Sequence, residues 1–242
     1  MGKAKHQAQW EQVDFDKLFL PHIAIDTVIF GYHEGRMMVL LLQYKHTRDY
    51  ALPGGFILKT EDIDTAAKRI LKDRTGLSDI YLEQFHTFGR NDRQDNSIRE
   101  FMIAQGKKPP DSHFLLQRFI SISYYALVDF TKAIPAKDEL SDACLWVDIR
   151  KIPRLIQDHR SIIQTAQARL QEDLDKKLVG FNLMPENFTM KELQGLYETI
   201  LRQKLLRTSF QRKMLAMDIL EVVDKKMTGG AHKAPYLYRF KK

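Results

Sequence analysis

The stretch Gly55–Leu77, GFILKTEDIDTAAKRILKDRTGL, narrows the possible folds more than any other part of the chain. It reads as a loop, then a helix, then a glycine stop. Gly54 and Gly55 follow Pro53, so the backbone can turn tightly there. Glu61 and Asp62 put negative charge at a helix start, where the macrodipole favours it. Ala66, Ala67, Ile70 and Leu71 recur at three- and four-residue steps and make one apolar face. Gly76 ends the helix.

Strands are expected on both sides of that helix. His22–Gly31 carries Ile23, Ile25, Val28, Ile29 and Phe30. A turn signal at Glu34-Gly35 separates it from Met37–Tyr44, MMVLLLQY, and the pair reads as a hairpin. The second run is continuously apolar, which predicts burial on both faces. Tyr81–Gly89, Arg118–Phe130 and Ala143–Ile149 are three further strands. Strands flanking helices in this order fit an α+β chain with a mixed α/β sandwich. The polar stretch Arg90–Gln117 is too long for an ordinary connection, so it is functional, partly helical or mobile. Residues 1–20 read as an arm or short helix.

The 242 residues suit one large domain or two small ones, and the second half points to two. Residues 1–159 hold 22 Lys+Arg against 22 Asp+Glu, whereas residues 160–242 hold 16 against 9. The difference, 16 − 9, accounts for the whole net charge of +7, so a basic C-terminal module that meets a polyanion is expected. The single cysteine, Cys144, lies in an apolar run and reads as a buried small residue. No apolar run approaches the ~18–20 residues of a membrane span, and the N-terminus lacks a signal-peptide core. A soluble, cytoplasmic protein is expected, with no membrane partner.

Residues 151–179 are expected to be helical, with Ile162, Ala166, Leu170, Leu174 and Leu178 recurring every four residues. This helix would join the two modules, pack on a second subunit, or simply lie on its own domain. Gly180–Pro185 is the boundary. Phe188–Leu201 then forms a helix, with Thr189 as cap and Glu192 in capping-box register. A basic turn, Arg202–Arg207, leads to a second helix over Thr208–Met217, whose inner face carries Phe210, Met214 and Met217. A strand-like LEVVDKK, a glycine-rich tip and a strand YLYRFKK follow. That order is the order of a winged helix-turn-helix.

A helix fits the major groove of B-DNA, and polar side chains near its N-terminus reach base edges. Thr208, Ser209, Gln211 and Arg212 have the right chemistry for this. Lys213, Lys204 and Arg207 suit phosphate contacts, and His232 and Lys233 sit at the hairpin tip, able to touch backbone or minor groove. Winged helices also bind proteins, so that alternative stays open.

The motif around the first helix resembles a Nudix box. Gly55, Glu61, Arg69, Leu71, Gly76 and Leu77 stand in register. Where the box has its three clustered glutamates, this chain has Ile70, Asp73 and Arg74. In Nudix hydrolases that cluster holds Mg²⁺ against a diphosphate, and magnesium demands oxygen ligands. The resemblance therefore implies a kept scaffold and lost metal chemistry, with no catalytic or metal-binding residue. A Nudix-type α/β/α sandwich followed by FTMKELQGLYETIL, SFQRKML and PYLYRF resembles the Nudix-related transcriptional regulators of NrtR type; FGRNDR and SISYYALV add to this.

That family resemblance implies an arm over 1–20, an effector-binding domain over 21–155, a linker helix over 156–180 and a DNA-binding domain over 181–242. It implies a homodimer on a palindromic operator, repressing genes of NAD metabolism or sugar use. It requires no cofactor, and its effector is ADP-ribose or a sugar-derived metabolite. Arg90, Arg93 and Arg118 are the candidates to meet phosphate or hydroxyl groups. The Gln94–Gln117 insertion departs from the family and is a candidate lid. The competing expectation is a Nudix hydrolase of nucleoside diphosphate-linked substrates with a basic accessory domain, its metal site rebuilt from Glu61, Asp73 and a carboxylate such as Glu83 or Glu100.

Overall fold

A computed structural model of the chain describes residues 14–45, 48–78, 80–93, 96–104, 106–137, 141–176, 180–225 and 234–241. One turn of helix, α1 (Phe15–Leu18), leads into the long strand β1 (Phe19–His33) and then β2 (Arg36–Tyr44). These two form the expected hairpin, with His33 opposite Arg36. Its turn residues Glu34 and Gly35 both have positive φ, 47° and 74°, which matches the right-handed twist of the strands. Two short strands, β3 (Tyr50–Ala51) and β4 (Gly54–Leu58), precede α2 (Ile63–Thr75). Strand β5 (Tyr81–Phe88), helix α3 (Ser97–Ala104), strand β6 (Ile120–Val128) and strand β7 (Ser141–Asp148) complete the first domain.

The sheet runs β3-β2-β1-β6-β5, with β4 also on β1 and β7 also on β2. Only β1 and β6 are parallel; the other named pairs are antiparallel, so the sheet is mixed. Its two faces separate by residue parity, as a period of two requires. Ile25, Ile29, Leu40, Tyr124 and Ala126 face the apolar side of α2. Val28, Phe30, Val39, Leu41, Tyr125 and Leu127 face the opposite way, towards α4 (His159–Asp173). Burial on both faces explains why these strands are continuously apolar.

Two expectations are corrected. The residues following Pro53 form strand β4 rather than a loop, pairing with Ala24–Asp26 of β1. Gly54 is needed for close approach: a Cβ there would lie 2.6 Å from the Ile25 carbonyl oxygen. The linker helix begins at His159 and not at 151, because Pro153 interrupts the run and the backbone before it is engaged elsewhere. Arg154 accepts the Tyr50 amide, and the Ile156 amide donates back to Tyr50. The Arg90–Gln117 stretch is partly helical, as expected: its described residues include α3 and a 3₁₀ turn, Phe114–Leu116.

The C-terminal part comprises α5 (Gly180–Leu183), β8 (Phe188–Thr189), α6 (Met190–Leu201), α7 (Arg207–Ala216), β9 (Leu220–Lys225) and β10 (Tyr236–Phe240). The expected hairpin gains a third strand, because β8 pairs with β10. Thr189 and Glu192 form a complete capping box at the start of α6. Leu183 and Met184, in the expected boundary, are buried. The core does not stop there: Ile162 and Leu170 of α4 and Leu193, Leu196 and Phe210 of the winged helix belong to one cluster with Val28 and Phe30.

Candidate effector cleft and DNA-binding face

The Nudix-box residues build one wall of a cleft. Asp62 caps α2 by accepting the Thr65 amide at 2.7 Å, and Gly76 closes it at φ 71°. Arg69 reaches back from α2 and grips Glu61 with two nitrogens, at 2.6 and 3.0 Å, while also donating to the Phe56 carbonyl. Glu61 accepts the Leu58 amide as well. The Arg69 guanidinium, with that amide, holds the Glu61 carboxyl below the usual carboxylate range. This carboxylate is therefore engaged in tying the strand–loop–helix together. Ile70 is buried directly under Gly55, where a Cβ would meet it at 3.1 Å. Asp73 lies 4.0 Å from Arg69 and is largely exposed.

Magnesium does not fit these residues. Ile70 offers no oxygen, Arg74 brings a positive charge, and Glu61 is already bound to Arg69. Among the described residues no three His, Cys, Asp or Glu side chains gather as a metal site.

The cleft itself is a cavity of about 380 Å³. Phe15, Phe19, Phe56 and Phe119 line one side, and Arg69, Asp73 and Arg74 come from α2. The rings support one another: Phe56 and Phe119 have centroids 5.2 Å apart, and Phe114 stacks on Phe15 at 5.3 Å. The insertion supplies Ile98 and Leu115 to the same cavity. It forms part of the wall.

The three candidate arginines are not brought together. Arg93 lines the cleft but is spent on structure, donating to Asp26 at 2.7 Å, Asp158 at 2.8 Å and the Phe119 carbonyl at 3.1 Å. Arg90 lies on the surface, paired with Asp92, and Arg118 is exposed; neither lines the cleft. Asp26 also accepts the Ser121 hydroxyl at 2.6 Å. Burial drives the Asp26 carboxyl up, but His159, Arg93 and Ser121 outweigh it and keep it below its ordinary value. The His159 ring lies with Nδ1 2.9 Å from the Leu52 amide and Nε2 3.6 Å from Asp26.

Asp158 and His159 begin α4, so the floor of the cleft is bonded to that helix. The other end of α4 touches the winged helix. Gln171 donates to the Ile200 carbonyl at 2.7 Å, and Asp175, just beyond the helix, pairs with Lys213 of α7. Near the same end, Tyr125 of β6 donates to the buried Asp173 at 2.9 Å.

In the winged helix, α7 is held by Phe210 and Met214, with the Phe210 ring edge-on to Tyr197. The turn ahead of it is stapled by Glu198, which accepts the Leu205 amide, the Gln194 amide group and the Lys204 ammonium. The Leu205 amide, then Lys204 and Gln194, bring the Glu198 carboxyl down to about 2. Arg207, Thr208, Ser209 and Arg212 are exposed on α7, and Gln211 is half-buried. Lys213 leans back to Asp175, and Lys204 to Glu198. His232 and Lys233 fall outside the described residues, as does Leu178.

Sequence reasoning missed the aromatic side of the cleft. The four-residue step between Phe15 and Phe19, the Phe56 that follows Gly55, and the Phe114 to Phe119 pair inside HFLLQRF were its signals. They lie far apart in the chain, and only the sheet brings them together.

A Nudix-type sandwich whose metal positions are replaced, carrying a winged helix at its C-terminus, defines a class of two-domain DNA-binding regulators. Residues 20–166 match the NUDIX domain family, and residues 180–240 match the NrtR DNA-binding winged helix domain. The chain is 30% identical over 240 residues to the ADPR responsive transcriptional repressor NtrR of Acinetobacter baylyi, covering 96% of this chain and 86% of that protein. The crystal structure of Shewanella oneidensis NrtR superposes with a TM-score of 0.69 at 28% identity, covering 91% of this chain and 94% of that one. The same protein complexed with a 27mer DNA gives 0.69 at 27% identity, covering 90% and 93%. The chain belongs to the NrtR family of Nudix-related transcriptional regulators.

Proposed function

We propose that this protein is a transcriptional repressor released from its operator by ADP-ribose. Residues 21–155 form the sensor, 156–180 the linker and 181–242 the DNA-binding domain. The observation that carries the reading is the cleft: an aromatic side able to stack a base, with arginines on α2 able to meet a diphosphate. The A. baylyi relative is an ADPR responsive repressor over nearly the same length. ADP-ribose binds with its base against Phe56 and Phe119 and its phosphates towards Arg74 and Arg69 on α2. Arg90 and Arg118 have no part in this contact. Arg93 holds the floor in place.

The protein acts in the cytoplasm as a homodimer, with Arg207, Thr208, Ser209, Gln211, Arg212 and the wing residues His232 and Lys233 on a palindromic site. Lys213 joins them once it leaves Asp175. ADP-ribose favours one placement of the two winged helices, and the differential affinity needed is a few kcal/mol. ADP-ribose is bound and not cleaved in this reading, because the α2 positions of the metal-binding glutamates hold Ile70 and Arg74. The test is selection of duplexes from a random pool, followed by anisotropy of the enriched duplex with added ADP-ribose. The expected result is a two-fold symmetric sequence and a loss of binding as ADP-ribose rises. A duplex that stays bound at saturating ADP-ribose excludes this effector. Mg²⁺-dependent turnover of ADP-ribose would replace the whole reading by the hydrolase.

A further inference from the structure

A second and larger cavity lies where the two domains meet. It measures about 600 Å³, with Phe30 and Met37 from the β1–β2 hairpin, Gln167 and Leu170 from α4, and Thr199 and Arg202 from the end of α6. An adjoining hollow of about 340 Å³ shares Gly35, Glu198, Thr199 and Arg202 with it, so the space continues along the seam. Small-molecule sites are typically roughly 300–1,000 Å³ and favour domain interfaces. No residue of this cavity belongs to the Nudix cleft.

The lining has a definite chemistry. Ile149 is half-buried and gives the cavity an apolar surface, backed by the buried Phe30, Met37 and Leu170. Of the charged groups, Glu198 has its carboxylate occupied by Leu205, Gln194 and Lys204, and Arg150 is gripped by Asp148 at 2.6 and 3.0 Å. Arg202 makes no ion pair or side-chain hydrogen bond with a described residue, and neither does the Gln167 amide. Arg202 also stands at φ 55°, in the left-handed cap of α6 where glycine is the low-cost residue. Arg202 is thus an exposed guanidinium at the rim of the cavity that no described residue engages.

We infer that this seam is a second small-molecule site, for a ligand with an apolar body and one anionic group. The anion pairs with Arg202, the body lies on the half-buried Ile149, and Gln167 offers a hydrogen bond. Because the walls belong to both domains, such a ligand binds one relative placement better than others. By linkage it shifts the population towards that placement, separately from any ligand in the Nudix cleft.

The full-length protein is titrated with 8-anilinonaphthalene-1-sulfonate, an aromatic sulfonate whose emission rises on leaving water. The expected result is saturable binding of one probe per chain. Arg202→Gly should weaken it about tenfold, the loss of one charge-assisted contact. The same change should not lower the thermal midpoint, since glycine suits φ 55°. That separates loss of the site from loss of the fold. Gln167→Glu, on α4, should also weaken the probe by repelling its sulfonate. Arg74→Glu, in the Nudix cleft, should leave it unchanged. Unaltered affinity in both Arg202→Gly and Gln167→Glu overturns the inference. So does absence of saturable binding, or an affinity that falls with Arg74→Glu instead.

Discussion

Arg93 shows how burial changes the meaning of a residue. In the sequence it is one of several arginines near an expected pocket. In the fold its side chain is 3% exposed and holds Asp26 of β1 to Asp158 at the start of α4. Arg93→Ala strands two carboxylates, so it should cost about 3–5 kcal/mol in urea unfolding. Arg90→Ala, at a surface pair with Asp92, should leave both stability and effector response unchanged. Asp26 adds a pH signature. Its folded value lies below its ordinary one, so its contribution is fully present above the unfolded pKa, roughly 3.9, and is lost as pH falls through the folded value. Denaturant midpoints from pH 6 down to pH 2 should fall on that acid side, and Asp26→Asn, less stable at pH 6, should show a shallower fall. An equal slope in the two proteins would remove Asp26 from the account.

Among the elements, α2 and α6 are the two whose sequences state their own limits. Asp62 and Gly76 bound the first, and the Thr189–Glu192 capping box starts the second. Local hydrogen bonds decide these ends, so they are visible in a linear reading. Thr189→Ala removes the acceptor of the Glu192 amide and should cost about 1 kcal/mol, read as a lower thermal midpoint. Strands β3, β4 and β8 were not legible, for an opposite reason. They are short, and two of them have only two residues. Their pairing is set by partners distant in the chain: Gly54 pairs with Asp26 of β1, and position 54 needs glycine because a Cβ there would lie 2.6 Å from the Ile25 carbonyl oxygen. Helix α4 was legible by period and wrong at its start, since the backbone of 154–156 pairs with Tyr50.

At the scale of the molecule, α4 lies between the cleft and the winged helix. Its first residues floor the cleft, and its far end bonds to α6 and, through Asp175, to α7. If the exposed face of α7 meets DNA as proposed, its base contacts and its phosphate contacts are separable. Arg212 makes no ion pair with a described residue and is exposed, so Arg212→Ala should reduce specific binding more than non-specific binding. Competition by selected and scrambled duplexes at several salt concentrations measures this. Equal losses on both would assign Arg212 to phosphate.

The amino-acid sequence was sufficient for the class of this protein. The period-two strands, the capped helices, the box with Ile70 and Arg74 in place of glutamates, and the basic winged module are all local patterns, and local patterns survive a one-dimensional reading. The cleft was not readable in that way. Phe15, Phe56 and Phe119 meet because β1 carries β4 and β6 on its two edges, and Arg93 leaves the list of free ligands because Asp26 and Asp158 converge on it. The cavity between the domains likewise exists only once the hairpin turn and α6 approach each other. Burial and long-range pairing decide whether a charged side chain is free to bind, and both are properties of the folded chain.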